Sequence, residues 1–224
     1  MFQITPAACF PTPVRPRREA AWKGRATGLL LLAALCVTPA MSTEEPKFTA
    51  HLTEGAFELR QYAPYLVAET AVAGDMDAAS NQGFRNIADF IFGNNQAPGQ
   101  SGSAKIAMTA PVTVEPRAAD TPMRDAQDWR VQFVMPSQYT LQTIPKPKNP
   151  AVTLREVPAK WYAVVRYPGI NTQSKVEDKT AELLAWIKAK GWTPVAGPQL
   201  ARYDPPWTLP FWRRSEILVE VGGL

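Results

Sequence analysis

The chain is poor in the side chains that bind transition metals or act as sulfur nucleophiles. Of its 224 residues, two are cysteine and one is histidine. Cys9 and Cys36 both fall within the first 42 residues. Beyond them His51 is the sole imidazole, so a zinc or copper site built from the usual nitrogen and sulfur ligands is excluded for want of ligands. A Cys–His catalytic pair is excluded outright, and a Ser-His-Asp triad would have to use His51. The sequence also lacks a glycine-rich phosphate loop, a pair of catalytic carboxylates and the spacing of a calcium-binding loop. Ser101-Gly102-Ser103 reads as linker.

The one long apolar run is short as well. Thr27 to Val37, TGLLLLAALCV, has 11 residues, whereas a bilayer span needs roughly 20. Arg15, Arg17, Arg18, Lys23 and Arg25 precede it, and small residues at Ala40 and Ser42 follow. A basic segment, a short apolar stretch and a small-residue site form the pattern of a secretory signal, here cleaved after Ser42. The expected layout is a signal peptide at 1–42 and one domain at 43–224, placed in the periplasm or outside the cell. No stable membrane span is expected after cleavage. The leader holds five of the 24 Lys and Arg, and Glu19 of the 20 Asp and Glu, which leaves 19 of each sign. The basic balance therefore belongs to the leader, and nothing in the folded part favours nucleic acid, which calls for a basic patch there. The remaining 182 residues can bury a core without disulfides.

What the chain does contain is a repeat. Shifted by 95 residues, Glu58–Arg60 meets Thr153–Arg155, and YLVAETAVAG (65–74) lies over KWYAVVRYPG (160–169). Asn81–Phe92 falls on Val176–Ile187, and KIAMTAPVTV (105–114) on LARYDPPWTL (200–209), with Pro111 over Pro206. Each half reads strand, strand, helix, strand, strand, the last strands being 129–136 and 215–221. Proline cannot donate to a strand ladder, so Pro111 and Pro206 are expected to mark an equivalent bend or bulge in the two copies.

The first helix shows Phe84, Ile87, Ala88 and Ile91 at i, i+3, i+4 and i+7. Asp75 or Asp77 can cap its start, and Gly93-Asn94 can stop it. In the second, Ser174 and Glu177 have capping-box spacing. Val176, Thr180, Leu183, Leu184 and Ile187 form its inner stripe, and Gly191 ends it. Polar or proline-rich loops are expected at 94–104, 115–128 and 144–151. The fold class is α+β: duplicated βαββ halves forming a distorted, largely antiparallel β-barrel flanked by two helices. Trp161, Trp186 and Trp192 belong to the core of the second half.

Three stretches resemble the SOUL heme-binding family: KIAMTAPVTV; FVMPSQYTLQTIPKPKNPAVTLREVP; and YDPPWTLPFWRRSEILVEV. They occur in the family's order, and the likeness spans about residues 48 to 222. Ser215 departs from the asparagine usual in the family, which puts one local hydrogen bond in question. The resemblance implies a monomer that binds heme or another tetrapyrrole on the outer face of the first helix, near the Tyr-x-x-Pro-Trp segment. Carried over, those positions are Phe84, Ala88, Ile91, Tyr203 and Trp207. Asn81 and Asp89 stand where some relatives place basic side chains around the heme propionates, and Arg85 can substitute for them.

Axial ligands to heme iron are His, Met, Cys or Tyr. His51, at the start of the first strand, suits packing or solvent better than iron. Met76, Met108 and Tyr203 remain possible, although Met108 also suits an irregular core gap. Stacking of Phe84 and Trp207 on the ring would then carry the affinity. Arg213, Arg214 and Glu216 read as a salt-bridged strand start, with propionate or phosphate capture as the alternative. The expected function is non-enzymatic binding, buffering or carriage of heme. The alternatives are a module for another apolar small molecule and a protein–protein adaptor presenting the Phe84 face.

Overall fold

The structure, a computed structural model, describes residues 43–99, 101–118 and 121–224. The leader read over residues 1–42 lies outside them. The first half runs β1 (Phe48–Glu54), β2 (Phe57–Tyr62), β3 (Tyr65–Ala73), α1 (Met76–Ile91), β4 (Asn95–Gln96), β5 (Val112–Pro116) and β6 (Asp128–Val134). The second runs β7 (Lys146–Pro147), β8 (Val152–Val157), β9 (Lys160–Pro168), α2 (Gln173–Ala189), β10 (Thr193–Pro194), β11 (Gln199–Arg202), a 3-10 turn (Pro210–Trp212) and β12 (Arg214–Gly222).

The main sheet has the strand order β1-β2-β9-β12-β11-β5-β6-β3-β8, with β10 also paired to β12. Every strand pair in it is antiparallel, and the sheet curls into a half-barrel. Read outward from the centre, the order mirrors itself: β11 beside β5, then β12 and β6, β9 and β3, β2 and β8. The repeat is thus a pseudo-twofold axis through the β5–β11 pair, where Val114 faces Leu200. Each half also lends its first repeated strand to the other, since β2 pairs with β9 and β8 with β3. The halves cannot separate without breaking both ladders.

The offset of 95 residues holds for β2 and β8 and for β3 and β9. It has already fallen to 86 at the central pair, because Val114 matches Leu200 and Asp128 matches Arg214. The proline expectation is corrected accordingly. Pro111 immediately precedes β5, after a cis Ala110–Pro111 bond, whereas Pro206 lies in the loop after β11. The two prolines are not equivalent. The loop between α1 and β5 is longer than its counterpart, and a common offset cannot extend across it.

Strand alternation gives the sheet two differently filled faces. Leu59, Val114, Val131, Phe133, Ala163, Val165, Leu200, Ile217 and Val219 belong to the main core, as do Ile87, Phe90 and Ile91 of α1 and Val176, Leu183 and Ile187 of α2. The other face carries a smaller cluster of Tyr62, Tyr162, Val164, Ala201 and Leu218, flanked by Tyr65 and Tyr203. Helix α1 rests close to β6 because residue 83 is glycine: a Cβ there would lie 2.4 Å from Val131 Cγ2.

Asp75 is the cap of α1 and accepts from Ala78 N at 2.8 Å. In α2 the cap is Thr172, which accepts from Lys175 N at 3.3 Å. Ser174 lies two residues past the cap, inside the helix, so the capping box read at Ser174 and Glu177 does not form. Leu184 is exposed rather than part of the inner stripe. Trp161, Trp186 and Trp192 pack against the core as expected, and Trp186 stacks on Phe57 at 5.4 Å. The loop at 94–104 is not merely polar surface. Asn95 is fully buried and donates to Phe90 O and Ala104 O, both at 2.8 Å, and Asn95 pairs with Pro147 of the 144–151 loop.

Candidate functional site

Helix α1 sits on β3 and β6 and turns two apolar stripes in different directions. Ala79, Gly83, Ile87, Phe90 and Ile91 face the sheet. Phe84, Ala88 and Phe92, at i, i+4 and i+8, form the outer stripe; Phe84 is 41% and Phe92 58% exposed. Water-facing phenylalanines in register on one helix flank are the unusual feature, because scattered single ones would mean little. Ile106 N donates to Ile91 O at 2.9 Å, which brings the Lys105–Met108 segment alongside the last turn of α1. Met108 is 48% exposed there and does not fill the core. Its flanking residues Ile106 and Thr109 take the buried places.

Among the residues singled out in the sequence, Phe84, Arg85 and Ala88 share the outer flank of α1. Arg85 is exposed and donates to the neutral Gln82 Oε1 at 2.6 Å, so its charge is not neutralised by a carboxylate among the described residues. Asn81 and Asp89 are exposed beside it, and Asp89 accepts from Asn94 at 2.6 Å. Ile91 is 1% exposed and lies in the core beneath the stripe. The reason is helical geometry: Phe84 and Ile91 are seven residues apart, and the drift over two turns carries Ile91 toward the sheet.

Tyr203 lies on the other side of the sheet. Arg202 reaches the first turn of α1, with Nη2 3.1 Å from Asp77 Oδ1. The next residue points oppositely, and the Tyr203 hydroxyl donates to Glu216 Oε2 at 2.7 Å beside the smaller cluster. Trp207, 83% exposed, stands in the loop beyond. That loop therefore starts beside the N-terminal end of α1, while the tyrosine hydroxyl is committed elsewhere. His51 is on β1, the outermost strand at the far end of the sheet from β3, and its ring lies 4.5 Å from Trp161. It comes nowhere near the outer stripe.

The charged cluster read at Arg213, Arg214 and Glu216 separates in the structure. Arg213 donates from Nε to Thr208 O at 2.7 Å and from Nη2 to Pro206 O. Arg214 lies 3.5 Å over the Tyr203 ring and pairs with Glu45. Glu216 points inward and takes both guanidinium nitrogens of Arg60, at 2.8 and 3.1 Å. Arg60 and Glu216 are 4% and 1% exposed. Burial works against the Arg60 charge, but hydrogen bonding to Glu216 and its attraction outweigh it and hold the Arg60 pKa above the ordinary value. Burial first, then the Glu216 charge, pushes the Tyr203 phenol well up. Burial likewise lifts Tyr62 to about 12, and Arg60 only partly offsets it. Sequence spacing could place Arg60 and Tyr62 on one strand face, but nothing in it pointed to a partner 156 positions away.

Residues 43–220 match the family profile described as SOUL heme-binding protein. The chain belongs to the SOUL family. Curated proteins return no match. Among solved structures, the EcmrR C-terminal domain is similar at 13% identity with a TM-score of 0.57, covering 79% of this chain and 99% of that one. A structure described as a hydrolase from Listeria innocua is similar at 14% identity and TM-score 0.51, with 77% and 94% covered. An uncharacterized conserved protein from Listeria innocua is similar at 13% and 0.53, with 74% and 92% covered. At these identities the likeness shows the fold.

The Ser215 departure from the SOUL pattern is absorbed locally. Ser215 Oγ accepts from Asn171 Nδ2 at 2.9 Å, and Asn171 Oδ1 accepts from the Tyr167 hydroxyl at 2.9 Å. For the tetrapyrrole that the family name implies, the outer stripe offers an apolar flank to the ring and Arg85 a cation for a carboxylate. The thioether of Met108 is the exposed sulfur nearest in the chain to that helix end. Among the described residues no group of three His, Cys, Asp or Glu could hold a bare metal ion. No described helix is long and apolar enough to cross a membrane.

Proposed function

We propose that this SOUL protein binds heme or a related tetrapyrrole without transforming it, on the outer flank of α1. The observation that carries the reading is the exposed Phe84–Ala88–Phe92 stripe, in a chain whose family is named for heme binding. A planar apolar ring gains most of its affinity from being taken out of water. Arg85 would meet one propionate. The iron would keep a solvent or Met108 ligand, because the histidine is at the far sheet edge. Trp207, 83% exposed in its loop, would offer the ring a second apolar face. Ile91 and Tyr203 would act indirectly, Ile91 by supporting the stripe from the core and Tyr203 by fixing the start of the Trp207 loop.

The protein acts in this reading as an exported, monomeric buffer or carrier, with residues 1–42 as its cleavable signal. Because the ring supplies most of the contact, metal-free protoporphyrin should bind nearly as tightly as hemin. Titrating the purified protein with each, and following the absorbance of the bound ring, tests this. Saturable one-to-one binding of both is the expected result; no saturation with either would remove the tetrapyrrole reading. Asn81 and Asp89 favour one rival, an uncharged apolar ligand on the same stripe, since they leave Arg85 as the sole cation of that helix.

A further inference from the structure

A second concavity is lined by no residue of α1. It is a cavity of about 450 Å³ between the β1–β2 turn at Gly55-Ala56, the end of β9 and the segment just before β12. Its size falls within the range of small-molecule sites. Phe211 and Trp212 form one wall; they are 63% and 69% exposed and meet edge to face at 4.9 Å. Arg166, Arg213 and Arg214 line the remainder, with Glu58 as the carboxylate among the lining residues.

The charges in this cavity are unevenly matched. Glu58 is taken by Arg60 at 2.7 Å and Arg214 by Glu45. Arg213 bonds to neutral backbone carbonyls. Arg166 sits directly across from Glu216 on the neighbouring strand, yet the Glu216 carboxylate is already held by Arg60 and Tyr203. Among the described residues the Arg166 side chain has no hydrogen-bond or ion-pair partner. A cation without a carboxylate therefore faces a cavity walled by two water-exposed aromatic rings.

The wall is also fixed in advance. Arg213 ties down two carbonyls of its own loop, Asp204 accepts from Arg214 N at 2.6 Å, and Trp212 N donates to Leu209 O at 2.9 Å. A pre-formed wall lowers the ordering cost of binding. We infer that this cavity is a binding site for a small amphipathic anion, an apolar or aromatic body lying against Phe211 and Trp212 with its acidic head on Arg166. The site is separate from α1 and does not depend on the tetrapyrrole reading.

The probes are 1-anilinonaphthalene-8-sulfonate and its uncharged analogue N-phenyl-1-naphthylamine, whose fluorescence rises on leaving water. With the purified protein, the sulfonate should saturate at one site. Arg166→Gln should weaken the sulfonate about tenfold, the size expected for a charge-assisted hydrogen bond, and leave the neutral probe unchanged. Trp212→Ala should weaken both, and both exposed positions can change without disturbing the core. Phe84→Asp should alter neither. Sulfonate affinity unchanged in Arg166→Gln, no saturable signal at all, or a signal lost in Phe84→Asp would each overturn the assignment. Failure of hemin to bind would leave these outcomes untouched.

Discussion

Arg60 and Glu216 form the most consequential ion pair of the described residues, and both are almost wholly out of water. A buried pair of this kind is weak support for net stability, because desolvation offsets much of the attraction. Breaking it is another matter, since the remaining charge is stranded. Arg60→Ala should therefore cost about 3–5 kcal/mol in urea unfolding. Arg60→Lys should cost less, because it keeps the charge and loses only the paired N–H fork. A loss for Arg60→Ala no larger than that of an exposed pair, about 1 kcal/mol or below, would mean that water reaches the site.

The tyrosines around that pair give a pH signature. Tyr62 and Tyr65 are pushed to about 12 from an ordinary value of 10.0, burial being the main cause for both. Tyr162, Tyr167 and Tyr203 move the same way, again mainly through burial. A phenol whose pKa is higher folded than unfolded stabilises the protein below pH 10 and loses that contribution as the pH climbs toward 12. Stability should be level from neutral pH to about pH 9 and fall steeply between 10 and 12, with the tyrosinate absorbance rising together with unfolding. Ionisation of these five tyrosines near pH 10 in a fully folded protein would contradict the burial argument.

The two helices show what spacing can and cannot reveal. Their positions were legible, as was Asp75 as one of two possible caps, because periodicity and capping chemistry are local. The α2 cap was misread since Ser174 and Glu177 have the right spacing, but the chain reaches helical angles earlier, after Thr172. Thr172→Ala should accordingly destabilise by about 1 kcal/mol, while Ser174→Ala should be near neutral; the reverse order in thermal unfolding would restore the capping box. In α1 the 3.6-residue period identifies a stripe but not how far the sheet extends around it. Phe84 and Ala88 were assigned to the outer face correctly. Ile91 belongs to the inner one, and Gly83, which sets the helix–sheet distance, carries no apolar signal.

Across the whole domain, the duplication carried the fold from sequence to topology. The 95-residue offset predicted the equivalence of β2 with β8 and β3 with β9, and hence two halves in one sheet. It could not reveal that those first strands are exchanged between halves, because pairing partners are fixed by tertiary packing and leave no mark on either strand alone. Nor could it follow the insertion between α1 and β5, which is why Pro111 and Pro206 were wrongly matched. The outer stripe was legible through the SOUL resemblance and through Phe84. The Arg166 cavity was not, as it joins a turn, a strand end and a loop that are more than a hundred residues apart in part.

The measurement that bears most directly on the function is a hemin titration of the protein and its Phe84→Asp variant, followed at the Soret band. Phe84 is 41% exposed, so the variant should fold with unchanged stability. Saturable one-to-one binding by the parent, weakened at least about tenfold in the variant through loss of a buried aromatic contact, is the outcome this account predicts. Equal binding by both proteins, or a variant that fails only because it unfolds, would contradict placing the tetrapyrrole on the outer flank of α1.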